Sequence, residues 1–518
     1  MFAAGRKEMM RMDQYTIEEL GLPSVVLMEN AGAKVVEEIL ASPAGVPSRV
    51  VVLAGGGNNG GDGFVIARRL ADAHIETLLC LLVPAERITG DAEIHLNTYL
   101  KRELPLLKVW EQDPEALKIE LMRADLIVDA MLGTGGSGAL REPLRQTISL
   151  VNELQGLKPV IAVDIPSGLG SDDGKVEDIA IRATKTVTFV FPKKGFFLLD
   201  GPTHVGEWKA VDISVPPSIV EPLQLDMPRV ITESLLKSSL PKRPRHGHKG
   251  TFGHALIVGG SRTYAGAPVF AAKAVIHAGA GLVTTALPAS LYPIAAAQMP
   301  ESIFLPLPEA DGYIAERAWE QLAPQLSQYQ CIAIGPGIGK FPNGESWIRK
   351  ILENLQGQSL VVDADALYLI RNSLDIVRNY KGNVIFTPHP GEMAMLLQRT
   401  VKEIEQDRLG IAHSFATMNQ IYLLLKGHRT IIASPDGEVY INPYGHDALG
   451  KGGSGDVLTG LVASFLAQGA APSSALIAAS ALHAKAGEWK ARQLSHYGVM
   501  PLDVIDGVKE QLARMNHI

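Results

Sequence analysis

The run Gly450-Lys451-Gly452-Gly453-Ser454-Gly455-Asp456-Val457-Leu458-Thr459-Gly460 places one carboxylate in a glycine-dense loop that leads straight into an apolar helix. Glycines let the backbone bend so that several N–H groups converge on an anion, and the start of the helix adds partial positive charge. A carboxylate set beside a phosphate repels it. Asp456 is therefore read as a base that takes a proton from a substrate oxygen about to meet the phosphate. The bland alternative is an N-cap Asp after a flexible loop.

A second glycine-rich segment, Gly55-Gly56-Gly57-Asn58-Asn59-Gly60-Gly61-Asp62-Gly63, follows an apolar run and opens a helix expected over residues 64–70. It has the composition of a phosphate cradle. It is not the GxGxxG fingerprint with a ribose-binding acid about twenty residues on, which leaves little support for simple dinucleotide oxidoreductase chemistry. Two further turns end apolar runs: Val128-Asp129-Ala130-Met131-Leu132-Gly133-Thr134-Gly135-Gly136-Ser137-Gly138 and Val163-Asp164-Ile165-Pro166-Ser167-Gly168. Asn59, Asp129 and Ser167 with backbone carbonyls offer only hard oxygen donors. That set suits an alkali or alkaline-earth ion and not zinc; a turn-forming Asp is the plain alternative for each.

These turns need a scaffold that brings strand ends together. Residues 49–54, 76–83, 124–130, 159–164 and 186–191 read as buried parallel strands separated by helical stretches. Open α/β sheets place ligands beyond the carboxyl ends of such strands. Prolines at 216, 217, 222, 228, 241 and 244 then break the pattern, which sets a boundary near 216–228 and domains over 1–220 and 228–518. A second α/β pattern follows, with strands expected at 255–259, 282–286, 331–334, 360–363, 383–387 and 421–426, and Ala-rich helices at 265–278 and 473–492.

The chain has 518 residues, 46% of them hydrophobic, enough for two or three full cores. A net charge of −7 gives no basic footprint for nucleic acid. Cys80 and Cys331 sit in apolar strand-like runs and read as buried thiols in a reducing compartment. No apolar run reaches spanning length, and Arg6, Lys7, Glu8, Arg11 and Asp13 make the start too charged for a signal segment. A soluble cytoplasmic protein without membrane or nucleic-acid partners is expected, as a homo-oligomer.

Five motifs occur in one order: Tyr15-Thr16-Ile17-Glu18-Glu19-Leu20-Gly21-Leu22-Pro23, Leu27-Met28-Glu29-Asn30-Ala31-Gly32, the Asn-Asn-Gly-Gly-Asp-Gly segment, Asp129 with its Leu-Gly-Thr-Gly turn, and Asp164 with Pro166-Ser167-Gly168. Over about residues 8–215 they resemble the NAD(P)H-hydrate epimerase domain. The resemblance implies a Rossmann-like three-layer domain. It also implies that Asn58, Asn59, Gly60, Gly61, Asp62, Gly133, Thr134, Gly135, Gly136, Ser137, Gly138 and Asp164 bind the hydrated dinucleotide NAD(P)HX, with potassium on Asn59, Asp129 and Ser167. The carbon that inverts carries both the hydroxyl and the ring nitrogen, so one route opens the ring there, and Asp164 is the candidate acceptor of the hydroxyl proton.

From residue 230 to 515 the motifs are Lys249-Gly250-Thr251-Phe252-Gly253-His254, Tyr264-Ala265-Gly266-Ala267-Pro268, Gly335-Pro336-Gly337-Ile338-Gly339, Asp363-Ala364-Asp365-Ala366-Leu367, Thr387-Pro388-His389-Pro390-Gly391-Glu392, Lys426-Gly427-His428-Arg429-Thr430 and the Gly-Gly-Ser-Gly-Asp loop. This series resembles the ADP/ATP-dependent NAD(P)H-hydrate dehydratase domain, of ribokinase-like fold. The resemblance implies that Ala267, Gly337, His389 and Asp456 contact the hydrate, while Lys426, Gly427, His428, Arg429, Thr430 and Gly455 contact ADP or ATP. The run Tyr444-Gly445-His446-Asp447-Ala448-Leu449 departs from the plainer Gly-Asn-Pro-Gly-Met-Ala expected there.

Single residues carry two readings each. His389 lies between two prolines in a rigid turn and is either a structural histidine or a ligand contact. Asp363 and Asp365 either hold magnesium through water or cap the following helix. The expected function is repair of hydrated NADH and NADPH by epimerisation of the R and S forms and nucleotide-dependent dehydration of the S form. The alternatives are a vitamin-precursor kinase with an accessory N-terminal domain, and an interaction scaffold.

Overall fold

The computed structural model describes residues 1–136 and 138–516. The chain forms two compact units, Met1–Met227 and Pro228–Ile518.

In the first unit, β1 (Arg49–Ala54), β2 (Glu76–Leu81), β3 (Leu106–Lys108), β4 (Leu126–Ala130), β5 (Val160–Val163), β6 (Lys185–Phe189) and β7 (Glu207–Val211) form one sheet in the order β3-β2-β1-β4-β5-β6-β7. Every pairing in it is parallel. The apolar runs are continuous because both faces are covered. Val50, Val52 and Ala54 pack with Val35 and Phe64 on one face, and Val51 and Leu53 with Leu117, Leu121 and Ile148 on the other. Each fully buried Val or Leu contributes about 1.5–3 kcal/mol by leaving water. The strand order reverses between β1 and β4, which opens a crevice at their carboxyl ends.

The helix after β1 begins at Asn58 and runs to Asp72, earlier than the glycines suggest. Three of those glycines are packing residues within the helix. A Cβ at Gly60 would lie 2.0 Å from Gly55 O, one at Gly61 2.4 Å from Met28 Sδ, and one at Gly63 2.8 Å from Ala130 Cβ.

The second unit holds a ten-stranded sheet and a small hairpin. Its strands are β8 (Arg229–Val230), β9 (His254–Val258), β10 (Leu282–Pro288), β11 (Ile303–Leu307), β12 (Glu309–Ala310), β13 (Tyr313–Ile314), β14 (Cys331–Ile334), β15 (Ser359–Val362), β16 (Val384–Phe386), β17 (Tyr422–Leu425), β18 (Ile431–Ala433) and β19 (Val439–Ile441). The large sheet runs β11-β10-β9-β14-β15-β16-β17-β18-β19-β8, parallel through β17 and antiparallel across β17–β18 and β18–β19, while β12 and β13 pair alone. The expected α/β layering thus forms in both units. Helices Ala267–His277 and Ser454–Ala467 approach closely because Gly460 presents no side chain: a Cβ there would sit 2.2 Å from Ala271 O.

Candidate active sites

In the first unit a cavity of about 570 Å³ lies over the β1/β4 reversal, lined among others by Asp13, Asn58, Asn59, Asp62, Gly133, Thr134, Gly135, Gly136 and Asp164. Gly60 and Gly61 are turned into the packing described above. Gly138 lines a smaller neighbouring cavity of about 200 Å³, and Ser137 lies outside the described residues.

Asp164 has a φ of +64°, a left-handed backbone that a non-glycine residue adopts at a cost. Its Oδ1 accepts hydrogen bonds from Lys193 Nζ at 2.6 Å, Thr188 Oγ1 at 3.1 Å and Phe189 N at 3.1 Å. Oδ2 has no hydrogen-bond partner among the described residues. Lys193 is fully buried, and its ammonium also donates to Thr188 Oγ1, Phe189 O and Phe191 O, so the charge is compensated and held still. Two more carboxylates share the cavity. Burial and the charge of Asp164 push Asp13 up to about 6, and burial with Asp164 and Asp13 raises Asp62 well above the carboxylate range. Burial and the neighbouring charges disfavour the ionised form of Asp62 most.

Asp129 is 0% exposed at the end of β4. It accepts from Ser167 Oγ at 2.6 Å, Ser167 N at 2.8 Å and Met131 N at 3.2 Å, and burial raises it to about 6. No cationic side chain among the described residues pairs with it. Leu132 O beside it receives Asn59 Nδ2 at 3.0 Å and Ser167 Oγ at 3.3 Å. Asn59 and Ser167 therefore meet at Leu132 O, and Ser167 links that group to the buried Asp129 carboxyl.

The second unit carries a cavity of about 610 Å³ lined by His389, Lys426, Gly427, His428, Thr430, residues 444–447, Gly450, Lys451, Ser454, Gly455 and His483, among others. Arg429, Ala267, Gly337 and Asp456 lie outside this lining. Arg429 turns to Gly445 O at 3.3 Å. Ala267 and Gly337 adjoin each other, since a Cβ at Gly337 would lie 2.9 Å from Ala267 Cβ. Asp456 stands in the first turn of the helix that Gly453 starts with a φ of +95°.

Asp363, buried at the end of β15, accepts Lys426 Nζ on Oδ1 at 2.8 Å and Thr459 Oγ1 on Oδ2 at 2.6 Å. Burial opposes its ionisation, but the charge and hydrogen bond of Lys426 with the Thr459 bond outweigh it and hold the carboxyl below its ordinary range. Both oxygens are occupied. The side chain of Asp363 does not cap the helix Asp365–Ile370 and is committed to Lys426 and Thr459. Lys426 is likewise held charged, by Asp363 and Glu392 against burial. Its ammonium faces the glycine loop, 3.6 Å from where a Gly455 side chain would start. Burial and the fixed charge of Asp363 push Asp456 up to about 7, with Lys426 opposing.

His389 caps the helix Pro390–Leu397, its Nδ1 accepting from Gly391 N at 3.0 Å and Glu392 N at 3.2 Å, while Glu392 Oε2 answers on His389 N at 2.8 Å. The ring is 54% exposed and lines the cavity, so the structural reading of the cap holds and the ring stays open to a ligand.

The family model described as YjeF-related protein N-terminus matches residues 24–195, and the one described as NAD(P)H-hydrate dehydratase matches residues 255–509. A bifunctional NAD(P)H-hydrate repair enzyme from Moorella thermoacetica is 40% identical over 510 residues, which covers 98% of this chain and 96% of that one. The chain belongs to the bifunctional NAD(P)H-hydrate repair enzyme family. A family member from Thermofilum pendens is 32% identical over 513 residues, covering 99% and 96%. Among solved structures, the ADP/ATP-dependent NAD(P)H-hydrate dehydratase from Bacillus subtilis, co-crystallised with ATP and Mg2+, aligns with a TM-score of 0.49 at 29% identity over 55% of this chain and 98% of that one.

Several residues around these repair-enzyme cavities escape a reading of the sequence. Lys193 follows a proline in a Pro-Lys-Lys run that looks like surface charge, and Asp13 sits among the charges of the first helix. His483 lies buried in the Ala-rich helix Pro472–Leu494, where its Nε2 meets Ser454 Oγ at 3.1 Å and Ser454 O at 3.0 Å, and burial lowers it to about 4. Arg408, also buried, donates to Leu425 O at 3.2 Å and Lys426 O at 3.0 Å and so fixes the backbone that carries Lys426. Among the described residues no helix is long and apolar enough to cross a membrane.

Proposed function

We infer that this chain repairs hydrated NADH and NADPH, its first unit interconverting the R and S forms of NAD(P)HX and its second dehydrating the S form with ADP or ATP. The kinship over 98% of the chain supports the paired activities, and the raised carboxyl of Asp456 beside the Lys426–Asp363 pair supports the chemistry of the second.

The hydroxyl oxygen of the S hydrate attacks the terminal phosphoryl group, the bond to the departing AMP or ADP breaks, and the hydroxyl proton passes to Asp456. Loss of phosphate and of the proton on the neighbouring ring carbon restores the conjugated ring. A base with a pKa near 7 is matched to neutral pH, because an ordinary carboxylate is too weak and a stronger base would stay protonated. The Lys426 charge and the N–H groups of the first helical turn offset the phosphoryl charge, with His389, Gly427, His428, Arg429, Thr430 and Gly455 as nucleotide and hydrate contacts and Ala267 and Gly337 on the hydrate side. Magnesium would enter on the nucleotide's own phosphates, since the charge of Asp363 is already paired with Lys426.

In the first unit the unpartnered Oδ2 of Asp164 accepts the hydroxyl proton as the ring opens, and returns it after rotation and closure on the other face. The hydrogen bond from Lys193 holds the Asp164 carboxyl in place. Potassium would be held by Asn59, Asp129 and Ser167, where it compensates the buried Asp129 carboxylate. Assembly of identical chains in the cytoplasm belongs to the same reading.

Incubation with S-NADHX and ATP or ADP tests the second activity. Recovery of the reduced-nicotinamide absorbance with stoichiometric phosphate is expected; a stable phosphorylated product without that absorbance would favour a kinase.

A further inference from the structure

We propose that His446, Asp447 and His496 form a binding site for a zinc-class divalent transition ion on the rim of the second unit's cavity. Their donor atoms all lie within 4.8 Å of one another. His446 Nδ1 is 2.8 Å from Asp447 Oδ1, and His496 Nδ1 is 2.9 and 3.1 Å from the two carboxylate oxygens. Two imidazoles thus flank one carboxylate, with ring centroids 4.5 Å apart.

A second observation concerns the nitrogen of His446. Its Nδ1 accepts the Ala448 N–H at 3.2 Å, capping the short helix Asp447–Leu449, and the same nitrogen faces Asp447 Oδ1. A nitrogen and a carboxylate oxygen held 2.8 Å apart, with a second imidazole on the same carboxylate, present two nitrogens and an oxygen to a single cation. A metal ion there takes the lone pair from a long hydrogen bond and leaves an exposed N–H to water.

Two neutral nitrogens with one anionic oxygen match zinc and its neighbours, and are a poor match for magnesium or potassium. The side chains of Asp447 and His496 are 71% and 62% exposed, so the site can be reached from solvent. His446 and Asp447 also line the cavity, which leaves the remaining coordination positions to water or to an anion bound there. The two contributing segments flank the glycine loop: Asp447 precedes Gly450, while His496 follows the helix Pro472–Leu494 in a turn whose Tyr497 O accepts Lys451 Nζ. Bound metal therefore ties that turn to the loop that carries Asp456.

The test is a titration of the full chain, stripped of metal and free of nucleotide, with zinc chloride by calorimetry and by competition with a chromogenic zinc chelator. Wild type is expected to bind zinc at a site that excess magnesium does not displace. His496→Ala and Asp447→Asn should each weaken that site by about tenfold or more, whereas His74→Ala, an exposed histidine of the first unit, should leave it unchanged. His496→Asn, which keeps much of the ring's size, serves as a second variant, and melting curves establish that each variant is folded. Zinc affinity equal to wild type in folded His496 and Asp447 variants, or no zinc site in wild type, would overturn the proposal. Neither outcome depends on whether the cavity takes a nucleotide.

Discussion

Asp456→Asn keeps the shape of the side chain and removes its charge, so it separates catalysis from stability. Dehydration should fall by about 100-fold or more, because the acceptor for the hydroxyl proton is gone. Stability should move the other way. The carboxyl ionises at 3.8 when unfolded and at about 7 when folded. Between those values the folded chain holds a proton that the unfolded chain has lost, so wild-type stability declines as pH rises through the window, and the decline is complete above it. At about 1.4 kcal/mol for each pH unit the full cost is roughly 4 kcal/mol, and on the order of 2 kcal/mol once partial solvent screening is allowed for. The Asn variant escapes that cost. It should melt a few degrees higher than wild type at about pH 8, with the difference shrinking as pH falls toward 4. Melting curves across that range and nucleotide-dependent recovery of NADH absorbance are the two assays. Near-normal dehydration would remove Asp456 as the base, and a melting difference that ignores pH would remove its raised pKa.

The remaining expectations concern the first unit. Asp164→Asn should slow interconversion strongly and leave dehydration intact, so an R/S mixture with ATP should show a fast S phase followed by a stall; a single phase at the wild-type rate would clear Asp164 of the role. Potassium should support epimerisation better than lithium, whose radius suits a tighter cage, and Asp129→Ala should weaken that preference; equal rates in the two salts for both proteins would leave Asn59, Asp129 and Ser167 as turn formers. Gly60→Ala should cost about 1–3 kcal/mol in a denaturant melt, because its Cβ meets the Gly55 carbonyl 2.0 Å away and backbone must shift; an unchanged midpoint would refute that packing role.

The strands that carry the sites are legible because a parallel sheet covered on both faces turns each strand into an unbroken apolar run, as in Arg49–Ala54 and Cys331–Ile334. Glu207–Val211 is an edge strand with alternating exposure, and its Glu-Trp-Lys-Ala-Val sequence carries no such run. The glycines before Phe64 read as a loop since sequence alone does not reveal that Gly55, Met28 and Ala130 crowd that helix. Asp363 illustrates the same limit. Its position at a strand end is plain from the sequence, but its commitment to Lys426, 63 residues later, and to Thr459 depends on which strands become neighbours. Lys193 is hidden for a related reason: a buried lysine looks like a surface lysine until the carboxylate it serves is placed beside it.

Whether one chain performs both steps is read from a mixture of R- and S-NADHX given to the full-length protein with ATP or ADP, followed at the reduced-nicotinamide band until it stops. Recovery of the whole mixture as NADH, with no residue of the R form, is the predicted result. Recovery that ends at the S fraction would contradict the first activity, and no recovery at all would contradict the second.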